Sequence, residues 1–390
     1  MRSVAVVGAA QTIHASRRLD VDLGELCVEA IVPAVADSGL AWNEIEVVVF
    51  GSGPDLLQGM RNAYLPALTG TIGADRPILR VHTGGATGGS VFQAGALLVG
   101  SGYARSVLVV GAEKASEPDD AQRVLNTMWD PLLEQPLGLN AINMMSLQAV
   151  RQMGLHGYTE EHFATVAVKN RRAGARNPFA HLRKEVTLEE VLGSPMIAYP
   201  IKALEACPTS DGACAMVLAD EELARRTPHP VWLQGAAAAT DSMFIGDRMG
   251  DGEDDYIDAA TLRSAAREAY RQAGVVDPVG DIGLAEIYAP FPTNEMKAYE
   301  ALGFCARGEA HRLVEDGRTA LDGDLPVNPS GGPMCANPIG ATGLVRVAEC
   351  VFQLRGDAQS PRVEAQRAVA TSSGGSSQFY TVAVLGAEKP

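Results

Sequence analysis

Three places in the chain carry residue types that can do chemistry. Gly84 to Ser90 reads GGATGGS immediately after His82 and Thr83. A glycine-rich turn between a strand and a helix aims backbone N–H groups at one point, a device that holds anions or oxyanions. Close packing of two helices across a pseudo-twofold axis accounts for the same glycines, and one turn can serve both ends. His82 beside it is either a base or a satisfied core histidine. Six cysteines (Cys27, Cys207, Cys214, Cys305, Cys335, Cys350) contain no CxxC pair, so no zinc or other metal site is expected. Lys169, Arg171, Arg172, Arg176, Arg183 and Lys184 form the densest basic run. Arginines suit phosphate through paired hydrogen bonds, and a solvated helix face is the alternative.

Nucleotide binding fails a direct test. The first strand ends in VVGAAQT, without the second glycine of a dinucleotide fingerprint, and no GxxxxGK[ST] occurs. The acidic stretch Asp247 to Asp258 lacks EF-hand spacing and reads as surface.

The elements that must position these groups are legible from periodicity. Val4 to Val7, Val47 to Phe50, Pro77 to His82 and Ser106 to Gly111 read as strands buried on both faces. Leu23 to Ser38 and Gly88 to Gly100 carry helical spacing between them, a βαβ pattern. GATG occurs twice, at Gly85 to Gly88 and Gly340 to Gly343, each time opening an apolar helix that leads to a strand. "DSGLAWNEIEVVVFG" is likewise echoed by "QAGVVDPVGDIGLAEIYAP", and two echoes in one order predict an internal duplication. Residues 115–205 differ in texture. Amphipathic helices over Asn140 to Met153 and Thr159 to Arg172, with Met128, Met144, Met145, Met153 and Met196, read as an excursion covering the sheet. The methionines serve as core filler or as a cover suited to a bulky apolar substrate.

With 390 residues, 46% hydrophobic and 20% charged, the chain can bury a large core unaided. A net charge of -15 disfavours nucleic-acid and anionic-membrane partners. No apolar run approaches the roughly 20 residues of a membrane helix. Val4 to Ala10 is read as a buried strand in preference to a signal peptide. Together with the unpaired cysteines, these features point to a soluble, cytoplasmic protein.

Several long motifs in order resemble the thiolase superfamily. They include VAVVGAAQT, RVHTGGATGGS, KNRRAGARNPFAHLR, CPTSDGACAMVLAD, EIYAPF, GFCARGEA, LPVNPSGGPMCANPIGATG and SSGGSSQFY. The nearest resemblance is to sterol-carrier-protein-type thiolases and the actinobacterial lipid-transfer-protein group of steroid side-chain enzymes. It implies an α/β thiolase fold of duplicated βαβαβαββ halves, two five-stranded sheets in an α-β-α-β-α stack. The implied organisation is residues 1–114 with 206–228, a loop domain at 115–205, and a second half at 229–390. It also implies an acyl-CoA substrate that brings coenzyme A with it, no covalently bound cofactor, a homodimer through the first half, and an OB-fold/zinc-ribbon partner protein.

The departures from that pattern carry the functional reading. The nucleophilic cysteine of the CATGS-like motif is replaced by Gly85, so no acyl-enzyme can form there. The His or Asn that opens the second motif becomes Tyr288. The GHP motif becomes Ala336, Asn337 and Pro338, and the last glycine loop reads Ser372, Ser373, Gly374, Gly375. Cysteine-less relatives that act as aldolases imply a retro-aldol cleavage of a β-hydroxyacyl-CoA, which requires a base and donors for the enolate oxygen. Tyr288 is the first candidate for proton transfer, acting as base only if its pKa falls far below 10. Asn337 suits oxyanion holding or turn stabilisation, and Gly85, Gly374 and Gly375 offer backbone N–H groups. Tyr380 is a second phenol near the glycine loop, and His82 a further base. Cys335 is either an unusual nucleophile for retained thiolase chemistry or an inert buried thiol. The basic run, with Arg171, Arg172, Arg176, Arg183 and Lys184, falls where relatives hold part of CoA. A non-catalytic acyl-CoA-binding subunit is the reading from a different class.

Overall fold

In a computed structural model, residues 2–58, 75–250 and 255–389 are described. The Val-rich runs form β1 (Val4–Gln11), β2 (Val47–Gly51), β3 (Ile78–Arg80) and β4 (Ser106–Lys114). Helix α1 (Leu23–Ser38) starts where the Asp22 carboxylate accepts from the Glu25 amide and the Glu25 carboxylate accepts from the Asp22 amide. This reciprocal cap satisfies two otherwise orphaned donors, and Gly39, at φ 66°, ends the helix. Helix α2 (Thr87–Ser101) opens at the first GATG. The covering excursion holds α3 (Ala141–His156) and α4 (Glu160–Gly174), capped by Asn140 and Thr159.

The second pass repeats the first. After β5 (Asp211–Asp220) closes the first half, it runs β6 (Val231–Thr240), α5 (Ala260–Ala273), β7 (Leu284–Glu286), α6 (Pro292–Ala301), α7 (Ile339–Arg355), β8 (Arg367–Gly374) and β9 (Phe379–Gly386). The strands line up as β3-β2-β4-β5-β1-β6-β9-β8-β7. Reading outward from the β1–β6 pair, each half pairs antiparallel, antiparallel, then parallel. The order and directions are those of one unit used twice, as the repeated motifs predict.

The second half stops short of five strands. Where β3 pairs parallel to β2, the matching place beside β7 holds a single parallel bridge, Ala285 to Val327. Pro326 lacks an N–H for a ladder, and Asn328 turns to φ 54°, so the strand cannot extend either way.

Period-two alternation makes each sheet half a wall between helical layers. Val4, Val6, Val47 and Val49 face the central layer with Phe92, Val99, Leu344 and Val351 of α2 and α7. Ala5, Val7, Val48 and Phe50 face α1 through Leu26 and Ile31. On the far side Val382 and Val384 of β9 meet Leu262 and Ala266 of α5. The halves join at only two residue pairs, Ala5 with Trp232 and Val6 with Val231. The buried α2–α7 pair between them supplies the larger contact. The result is the layered α-β-α-β-α stack. Among the described residues no helix is long and apolar enough to cross a membrane.

Candidate active site

Both GATG turns point their helices at the centre, and their glycines set how closely the helices cross. A Cβ on Gly88 would lie 2.4 Å from the Leu344 nitrogen, and one on Gly343 would lie 2.6 Å from the Gly89 nitrogen. Gly85 does something else. Its missing Cβ would fall 2.8 Å from the Tyr288 hydroxyl and 2.8 Å from the Ser373 carbonyl oxygen. The phenol that replaces a family histidine or asparagine thus reaches into the space a nucleophilic side chain would need. Thr87 Oγ1, accepting from the Thr83 amide and donating to the Gly84 carbonyl oxygen, fixes the turn.

Opposite, Gly374 is equally tight: its Cβ would meet the Ala86 nitrogen at 2.2 Å. The turn around Gly85 and the loop around Gly374 and Gly375 therefore interlock and form the floor of a cavity of about 490 Å³. His82, Cys207, Tyr288, Asn294, Asn337 and Ser373 supply its polar wall. Leu125, Met128, Ile142, Met144, Met145, Phe291 and Ile339 supply the apolar wall. Of the five cover methionines, Met128, Met144 and Met145 line the cavity. Met153 packs on the second-half core and Met196 is exposed. No carboxylate, ammonium or guanidinium occurs among the described lining residues.

Protonation follows from this enclosure. Burial raises the Tyr288 phenol above its ordinary range, with Cys207 and Glu113 adding to the effect and Arg346 opposing it. This corrects the expectation of a basic phenolate: a dry, charge-poor wall favours the neutral form, which makes Tyr288 a proton donor. The Tyr288 amide donates to Thr371 Oγ1 at 3.0 Å, fixing the backbone that carries it. Two residues earlier, buried Glu286 accepts from Arg346 of α7 and from the Ser330 amide and hydroxyl. This ion pair ties the strand behind Tyr288 to the central helix.

Asn337 is held by three contacts. Its Oδ1 accepts from Thr342 Oγ1 at 2.8 Å, its Nδ2 donates to Cys207 Sγ at 3.3 Å, and its backbone N–H donates to Ser210 Oγ. Thr342 Oγ1 also lies 3.0 Å from the Pro338 carbonyl oxygen, and an amide that donates one Nδ2 hydrogen within the protein leaves the second for a ligand. His82 is exposed at the cavity rim, contrary to a core-histidine reading. Its Nδ1 lies 3.0 Å from the Ser52 carbonyl oxygen, which can only accept. The proton therefore sits on Nδ1, and Nε2 is the basic nitrogen of the neutral ring.

Other expectations fall away on position. Tyr380 is buried in the second-half core and does not line the cavity. Burial pushes its phenol to about 12, against hydrogen bonding with Ser377 and Ser373. Cys335 is also buried off the cavity, donating to the Asn170 carbonyl oxygen at 3.3 Å, and burial lifts its thiol to about 12. The cavity's thiol is instead Cys207, which the scattered cysteine spacing gave no reason to single out; burial raises it to about 11. Arg171, Arg172, Arg176, Arg183 and Lys184 do not reach the cavity wall. Arg171 lies on the inward face of α4 with its guanidinium directed at the Leu204 carbonyl oxygen; the other four are exposed. Half-buried Lys169 pairs with buried Glu295 at 2.6 Å. Asp255 and Asp258, read as surface, are buried on Arg151 and Arg307, while residues 251–254 of that stretch lie outside the described residues.

Two family models match, the thiolase N-terminal domain over residues 4–222 and the thiolase C-terminal domain-like family over 248–387. The chain belongs to the thiolase superfamily. Within it, the similarity is to the sterol-carrier-protein type. Sterol carrier protein 2 of Homo sapiens is 30% identical over 388 residues, covering 93% of this chain and 68% of that protein. An acetyl-CoA acetyltransferase of Methanothermobacter thermautotrophicus is 35% identical over 370 residues, covering 93% and 94%. A solved structure described as the Ltp2-ChsH2(DUF35) aldolase superposes with a TM-score of 0.81 at 29% identity, covering 98% of this chain and 97% of that one.

Proposed function

We propose that this thiolase-like protein is a carbon–carbon lyase that cleaves a bulky β-hydroxyacyl-CoA, of the steroid side-chain kind, into a ketone and a short acyl-CoA. The observation that carries the reading is the Tyr288 hydroxyl standing where the Gly85 side chain would be. A neutral donor in the nucleophile's space suits a reaction without a covalent intermediate. His82 Nε2 takes the β-hydroxyl proton, the Cα–Cβ bond breaks as the ketone forms, and the electron pair passes to the thioester as an enolate. Asn337 Nδ2 and the backbone of the Gly85, Gly374 and Gly375 turns face the enolate oxygen, while Tyr288 returns a proton to Cα. The proton lost from oxygen is balanced by the one gained at carbon.

The methionine-rich wall suits a large, rigid, apolar acyl group. The likeness to an aldolase solved with a DUF35 protein supports a lyase and a heteromeric assembly, in which an OB-fold/zinc-ribbon partner and a second copy of this chain take part. Coenzyme A enters as part of the substrate. Its phosphates remain outside the cavity, and exposed Arg172, Arg176, Arg183 and Lys184 are the candidates to hold them.

The test is co-expression with such a partner and assay of a panel of β-hydroxyacyl-CoA thioesters by mass spectrometry. Release of matched ketone and short acyl-CoA is expected. Tight thioester binding without turnover would overturn the lyase in favour of a binding subunit. A covalent acyl adduct on Cys207 would overturn it in favour of thiolase chemistry.

A further inference from the structure

Outside the cavity, three side chains far apart in sequence meet at one point. His156 ends α3, Asp258 precedes α5, and Glu300 lies in the last turn of α6. One ligand atom from each lies within 4.8 Å of the other two. None of the three lines the active-site cavity.

We propose that His156, Asp258 and Glu300 bind a divalent transition cation of the Zn²⁺ class, which staples the cover helix α3 to the second half. One imidazole and two carboxylates are a donor set that Zn²⁺ takes, leaving a fourth position for water. Asp258 and Glu300 are buried, and His156 Nε2 is itself enclosed without a hydrogen-bond partner. An enclosed, unpartnered ring nitrogen in a cluster that also holds two carboxylates is a costly arrangement that a cation relieves.

Outer contacts orient the carboxylates. Arg307 Nη2 donates to Asp258 Oδ2 at 3.0 Å, and the Tyr158 hydroxyl donates to Glu300 Oε1. Such second contacts accompany built metal sites. Arg307 Nε also donates to Asp258 Oδ1, so the cation meets Asp258 as half of an ion pair, and Glu300 as a carboxylate held by hydrogen bonds. Glu300 also lines a surface cleft of about 710 Å³ between α5 and α6. The site is independent of the lyase reading, because its test does not measure turnover.

The experiment uses the full chain stripped with EDTA and titrated with Zn²⁺, and separately with Co²⁺ for its visible absorption. One equivalent of either ion per chain is expected, with a rise in thermal midpoint. Glu300→Gln and His156→Ala should each weaken binding by more than about 100-fold, beyond the 10–100-fold of a disturbed outer contact. Tyr158→Phe, which leaves all three ligands, should weaken it about tenfold. Cobalt absorption that survives in Glu300→Gln would place the ion elsewhere. No saturable uptake by the stripped wild-type chain would mean that the cluster is a protein-only polar network. Either result overturns the proposal, and if His156→Ala does not fold, the near-isosteric Glu300→Gln still decides it.

Discussion

The two GATG turns share four residues and a place in a duplicated unit, yet they do different work. At Gly340 to Gly343 every glycine is spent on packing: Gly340 lies against Ser52 and Gly53, and Gly343 against Gly89. At Gly85 to Gly88 the last glycine packs against Leu344 in the same way, while the first opens onto the cavity beside Tyr288. A repeated motif thus carries a shared structural duty, and in one copy its first glycine also borders the cavity, against the Tyr288 hydroxyl and the Ser373 carbonyl oxygen. That residue is the one where this chain departs from the cysteine of its superfamily.

The sharpest way to break the comparison is to remove the group facing Gly85. Tyr288→Phe should lower kcat for retro-aldol cleavage of the β-hydroxyacyl-CoA by about 10²–10⁴-fold with the fold intact, checked by steady-state kinetics and circular dichroism. Glu286→Gln, behind it, acts on stability instead. Leaving Arg346 uncompensated in the interior should cost about 3–5 kcal/mol in urea unfolding.

The glycines sharpen the contrast further. Gly343→Ala drives a Cβ into the Ser372 side chain and the Gly89 backbone nitrogen and should destabilise the chain by about 1–3 kcal/mol, measured by urea unfolding. Gly85→Cys instead meets a movable phenol end as well as the Ser373 carbonyl oxygen. Combining it with Tyr288→Asn should recover about 0.5–3 kcal/mol relative to additivity, measured by a double-mutant cycle. The smallest effect concerns Cys207. Its raised pKa keeps the thiol protonated below the folded value, so alkylation followed by mass spectrometry should rise with a midpoint near pH 11, not near 8.5.

Much of this was readable before any coordinates. Runs such as Val47 to Phe50 have no polar face, which demands burial on both sides, and α2 and α1 supply those sides. Gly85, Tyr288, Asn337, Gly374, Gly375 and His82 meet in one cavity because each ends a strand or opens a helix at the same edge of the stack. What was not readable depends on which way a side chain leaves its backbone. Arg171 and Arg172 are neighbours in sequence, but a step of one along α4 turns one guanidinium inward and the next to solvent. Tyr380 lies near the glycine loop in sequence but points into the core. Asp258 looked like surface because its neighbours are acidic; its burial depends on Arg307, nearly fifty residues on, whose partner no local pattern could name.

That no carboxylate, ammonium or guanidinium occurs among the described lining residues also bears on which molecules the cavity favours. Past His82 at the rim, an ionised carboxylate would leave water without gaining a permanent counter-ion, a penalty of several kcal/mol. A thioester of the same acid carries no charge at its reacting end, and its phosphates can stay outside. On the proposed acyl-CoA reading the cavity thus acts as a partition filter, favouring an acid once it has been esterified over the free acid.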